Sequence, residues 1–84
     1  MGQIEKLLRT IKRNPKDVPW EDIDRILKHY GFGCRHQGGS HYTYYHPELE
    51  EILTIPRRRP VKAVYVKQAL RLIEKLKEGK ADGR

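Results

Sequence analysis

The sequence predicts an α+β domain in which a three-stranded antiparallel sheet carries helices on one face. Three observations lead there. Apolar residues recur at helical spacing near the start, switch to a period of two from Phe32, and return to helical spacing in the last quarter. Short connections rich in Gly and Pro separate the alternating segments, as in a meander. The chain has 84 residues, 37% of them apolar, which is enough for one core under one layer of strands. Residues 1–84 therefore form a single domain. A domain of this size buries only about 60% of the surface its unfolded chain exposes, so its stability is modest.

The first helix covers Ile4 to Arg13, within a leader of residues 1–16. Ile4, Leu7, Leu8 and Ile11 form its stripe, with Glu5, Lys6, Arg9 and Lys12 between them. Asn14-Pro15 stops it, because the residue before proline is pushed out of helical angles. Asp17 and Pro19 open a second helix, whose first turn tolerates proline's missing N–H. Glu21 and Asp22 suit its positive end. Trp20, Ile23, Ile26, Leu27 and Tyr30 line its apolar side, which makes Trp20 a core anchor, and Gly31 ends it.

Three strands follow. Phe32 to Gln37 is the first, and Gly38-Gly39-Ser40 the turn after it. His41 to His46 is the second, rich in Tyr and Thr and ended by Pro47. Glu48 to Glu51 form a polar turn. Ile52 to Ile55 is the third strand, closed by Pro56. Arg57-Arg58-Arg59-Pro60 is a basic loop. Val66, Ala69, Leu70, Ile73 and Leu76 then mark a final helix that frays into a polar tail, residues 79–84. The helices can cover one sheet face only, which leaves the other for a ligand. The order α-β-β-β-α, with one extra N-terminal helix, is that of double-stranded-RNA-binding folds, an analogy that sets an expectation and no more.

Charge and cysteine content narrow the partners. Lys and Arg number 18 against 11 Asp and Glu, a net charge of +7. That excess favours a polyanion or an acidic protein surface and does not choose between them. The single cysteine, Cys34, permits no intrachain disulfide and fits a reducing, cytoplasmic setting. No apolar run approaches the ~18 residues of a membrane span, and Met1 to Arg9 lack a signal-peptide core.

The segment Gly38-Gly39-Ser40-His41 carries the most chemistry. Glycines let the backbone turn tightly and let a bulky polyanion approach. Backbone N–H groups in such a turn can point at a phosphate. The imidazole that follows would then stand beside a bound phosphodiester, and imidazole, with a reference pKa of about 6.5, exchanges protons near neutrality. RNA supplies its own nucleophile, the 2′-hydroxyl, so proton transfer and charge stabilisation suffice without a metal. The same four residues also read as an ordinary hairpin turn followed by a strand histidine.

The other candidates carry less. His29, His36, His41 and His46 raise the question of zinc, which needs three or four converging ligands. His41 and His46 are an odd number of residues apart, so a strand sends them to opposite faces, and no metal site is expected. Tyr42 and Tyr44 share one face, and His41, Thr43 and Tyr45 the other. One set packs on the helices, and the sequence does not say which. Arg57, Arg58 and Arg59, continued by Lys62 and Lys67, fit phosphate contacts or an acidic protein partner.

Taken together, Gly38-Gly39-Ser40-His41, Tyr44-Tyr45-His46-Pro47, Leu53-Thr54-Ile55-Pro56 and Val66-Lys67-Gln68-Ala69-Leu70 resemble the HicA toxins, small messenger-RNA interferases of toxin–antitoxin pairs. The likeness runs from about Val18 to Leu76, within a HicA-like core of residues 18–78. It implies a double-stranded-RNA-binding-like fold, endonucleolytic cleavage of messenger RNA without a cofactor, and a HicB-type antitoxin that masks the active site. The chain is expected as a monomer or as one part of a toxin–antitoxin hetero-oligomer, a choice the sequence leaves open. The family's catalytic histidine maps onto His41, and its glycine and serine onto Gly39 and Ser40. Arg57, Arg58, Arg59 and Lys62 complete the expected substrate contacts. His46 matches a family position without an assigned role. The extra helix, Ile4 to Arg13, departs from the compact family pattern, and simple packing is expected of it. The alternative is a non-catalytic RNA-binding module of the same fold.

Overall fold

A computed structural model describes residues 2–36 and 38–81. The elements run α1 (Gln3–Arg13), α2 (Trp20–His29), β1 (Gly33–His36), β2 (His41–Tyr45), β3 (Leu53–Pro56) and α3 (Ala63–Ala81). The three strands form one antiparallel sheet in the order β1-β2-β3. The α+β arrangement expected from the sequence is what is found. Gln37, expected to end the first strand, lies outside the described residues, as do Met1 and the last three residues of the tail.

One face of the sheet is sealed and the other is open. Tyr44, Leu53 and Ile55 are buried and meet the helices, whereas His41, Tyr45 and Thr54 are exposed on the far side. The core joins them to Leu8 and Ile11 of α1, to Trp20, Ile23, Ile26 and Leu27 of α2, and to Val66, Ala69, Leu72, Ile73 and Leu76 of α3. Tyr42 and Tyr44 are therefore the packing pair, the choice that parity left open. Tyr44 donates its hydroxyl to Asp24 Oδ1 at 2.6 Å, and burial together with that carboxylate pushes its pKa upward. Trp20 is buried, as expected of an anchor, with its ring 4.9 Å from that of Tyr42.

Several boundaries move by a residue or more. Pro19 caps α2 rather than entering its first turn. β3 begins at Leu53 and includes Pro56, which can stand at a strand end because it needs no ladder N–H there. α3 is longer than its apolar stripe suggests. It starts at Ala63 and stays helical to Ala81, into the segment expected to be a polar tail. Leu72 is buried in it while Leu70 is only half-buried.

Two polar contacts link segments far apart in sequence. The Val61 N–H donates to the Val18 carbonyl at 2.9 Å, bringing the basic loop beside the start of α2. Lys12 donates to Glu74 Oε2 at 2.6 Å, tying α1 to α3.

Candidate phosphodiester site

The turn before β2 is built for an open approach. Gly38 and Gly39 have φ of +95° and +72°, the left-handed region that a Cβ disfavours. A Cβ at either would meet no atom within 4 Å, so it is backbone conformation, not crowding, that selects glycine. His36 closes the turn from behind. Its Nε2–H donates to the Gly39 carbonyl at 2.7 Å, and its ring stacks on Tyr42 with centroids 4.1 Å apart. The Arg57 N–H donates to the Ser40 carbonyl at 2.6 Å and ties the turn to the end of β3.

His41 emerges from this turn on the open face, opposite Pro56, with its side chain exposed. It stands on a ridge between two shallow depressions. One, of about 250 Å³, is lined by Ser40, His41, Pro56, Arg58, Lys62 and Tyr65. The other lies on the sheet face among Arg35, Gly38, His41, Thr43 and Ile52.

The three arginines of the basic loop part company. Arg58 and Lys62 join His41 in the first depression. Arg57 turns away, its guanidinium carbon 4.7 Å from the centroid of the Trp20 ring, a cation–π contact. Arg59 pairs with Glu21 of α2. Tyr65 and Arg35 escaped the sequence reading. Tyr65 lies one turn after Lys62, the residue just ahead of α3, and its N–H donates to the Lys62 carbonyl at 3.0 Å, which brings the two together. Arg35 reaches the open face through the pairing of β1 with β2, a register that only the folded hairpin settles.

The remaining histidines are engaged elsewhere. His46 Nε2 lies 3.1 Å from the Tyr30 carbonyl and its Nδ1 accepts from the Glu48 N–H at 3.0 Å, so it pins the end of β2 to the end of α2. Its ring meets Phe32 edge-on at 5.1 Å. His29 lies on the last turn of α2, its ring edge-on to that of Tyr30.

Nothing about these contacts is peculiar to one chemistry, so comparison with known proteins decides the family. No curated protein and no solved structure matches the chain. The model of the HicA toxin of bacterial toxin–antitoxin systems matches residues 20–75, from the first residue of α2 to within two residues of Lys77 on α3. The match spans the turn, His41, both depressions and the basic loop, and it leaves out only α1 and the two ends. With two thirds of its length accounted for in this way, the chain belongs to the HicA family of toxins.

Proposed function

We propose that this toxin is a metal-independent endoribonuclease that cuts messenger RNA, with His41 moving the proton. The single observation that supports this best is the setting of His41. It is an exposed imidazole at the end of a left-handed glycine turn, sharing a depression with Arg58 and Lys62. His36 and His46 are each held by other partners, which leaves His41 to act alone among the hairpin histidines.

The reaction balances without an external nucleophile. His41 accepts the proton of the RNA 2′-hydroxyl, and the 2′-oxygen attacks the adjacent phosphorus. The P–O5′ bond breaks, and the 5′-oxygen leaves with a proton returned by the imidazolium or by water. The products are a 2′,3′-cyclic phosphate and a 5′-hydroxyl. Arg58 and Lys62 stabilise the charge that gathers on the non-bridging oxygens. Gly39 and Ser40 shape the edge of the phosphate site, and Gly39 keeps that edge free of side chain. Arg57 and Arg59 contribute less to RNA than the sequence suggests, because Trp20 and Glu21 already occupy them.

The partner is a HicB-type antitoxin that masks this face. A depression that attracts phosphates also attracts carboxylates, so the complex weakens as salt rises. Expression in a bacterial host tests the reading. The wild type should arrest growth and deplete transcripts, His41→Ala should be harmless while folded, and a HicB-type antitoxin should relieve the arrest. Equal growth with both chains contradicts it.

A further inference from the structure

His41 borders two depressions, and the basic loop with Lys62 reaches only one of them. An endonuclease must hold its strand on both sides of the bond it breaks. A phosphodiester seated at His41 therefore continues over Arg58 and Lys62 in one direction and over the open sheet face in the other.

The open face has the composition of a nucleotide site. Arg35 is exposed and forms no ion pair among the described residues. Its guanidinium carbon lies 5.7 Å from the centroid of the Tyr45 ring. Tyr45 pairs across the strands with Gly33, and the outer end of its ring takes the space of the missing side chain. A Cβ on Gly33 would stand 2.5 Å from the ring's Cε1 and Cζ. The ring is thus laid against the sheet with 39% of the residue exposed, and Ile52, 63% exposed, precedes Leu53 at the Tyr45 end of the sheet and lines the depression with Arg35, Thr43 and His41. Thr43 and Thr54, whose hydroxyls are 3.1 Å apart, complete the strand positions, none of which carries a carboxylate. An aromatic ring over a glycine stabilises sheets in its own right. That role calls for neither the adjacent cation nor the exposed isoleucine.

We propose that this face is a subsite for a nucleotide that flanks the scissile phosphate of single-stranded RNA. Tyr45 stacks on the base, Ile52 bounds it, and Arg35 holds the neighbouring phosphate. The inference rests on the ribonuclease reading and extends it to a substrate class. A base must be free of its pairing partner to lie on a protein ring, so an unpaired strand fits where a duplex does not.

Fluorescence anisotropy with a labelled single-stranded oligoribonucleotide tests this on the full chain carrying His41→Ala, which prevents cutting. Adding Tyr45→Leu should weaken binding about tenfold, and Tyr45→Phe, which keeps the ring, should leave it within about twofold. Adding Arg35→Gln should weaken binding and lower the slope of log affinity against log salt by about 0.7. A blunt duplex of the same sequence should be indifferent to Tyr45→Leu. Unchanged affinity in both Tyr45→Leu and Arg35→Gln, with thermal unfolding showing folded chains, overturns the subsite. That is also the result if a protein partner, not RNA, covers this face. Cleavage by the wild type would then leave the ribonuclease reading standing. A wild type that neither binds nor cuts RNA overturns both.

Discussion

The ring of His36 donates a hydrogen bond to the carbonyl of Gly39, 2.7 Å away across the β1–β2 turn. This bond, with the stack of His36 on Tyr42, ties the backbone just ahead of His41 to the sealed side of the sheet. On the proposed ribonuclease reading, His36 acts as a positioning residue for His41. His36→Phe keeps the stack and loses the bond, and should lower single-turnover cleavage by about 10- to 100-fold, since small displacements of a reacting group cost that much. RNA affinity and thermal stability should change little. Loss of affinity with an unchanged rate would place His36 in binding instead.

Arg58, Lys62 and Arg59 are neighbours in sequence with different surroundings. Arg58→Gln and Lys62→Gln should each lower the salt slope of single-stranded RNA binding by about 0.7, as expected for one lost phosphate contact. Arg59→Gln should change it far less, because its guanidinium already faces Glu21. Titrations at several salt concentrations on the His41→Ala background measure all three.

Helix α1 joins the rest through apolar packing more than through charge. Leu8 and Ile11 are buried, 4% and 2% exposed, whereas the Lys12–Glu74 pair is in solvent. Leu8→Ala and Ile11→Ala should each cost about 2–4 kcal/mol in urea unfolding. Lys12→Met should cost less than about 1 kcal/mol. The reverse order would mean that α1 is held by its ion pair.

Acid should loosen the surface ties of α3. Hydrogen bonds from Lys75 and then Arg71 hold Glu51 below its ordinary pKa of 4.5, and a hydrogen bond from Lys12 does the same for Glu74. A depressed carboxylate pKa adds stability above the unfolded value, and that stability is lost as pH falls through the folded one. The urea midpoint should hold from pH 7 to about 4.5 and then decline. The double variant Glu51→Gln, Glu74→Gln should decline less steeply, and an identical slope would remove these pairs from the acid response.

The fold was largely legible because each element has its own period and its own stop. Helical stripes gave way to alternation at Phe32, and Asn14-Pro15, Gly31, Gly38-Gly39 and Pro47 marked the ends. Boundaries slipped where local signals are weak. Pro56 is the last residue of β3 and not the first beyond it, because an end position needs no N–H, and α3 outruns its apolar stripe since Lys and Glu continue a helix without help from the core. The candidate site is half legible. The turn and His41 are contiguous in sequence, so their juxtaposition needs no tertiary knowledge. The fates of Arg57, Arg58 and Arg59 depend on the Val18–Val61 bridge, which places the loop against Trp20 and Glu21. Arg35 and Tyr45 come together through strand register, which is a property of the paired hairpin and not of either segment.

The central claim is that one exposed imidazole, without a metal, turns RNA's own hydroxyl against its backbone. Its most direct test is cleavage of a defined RNA by the purified chain in excess EDTA, with product ends read by mass spectrometry. The expected result is 2′,3′-cyclic phosphate and 5′-hydroxyl ends, with the rate lowered about 10²- to 10⁴-fold in folded His41→Ala. Cleavage that survives His41→Ala, or that appears only with a divalent metal and leaves 5′-phosphates, would contradict it.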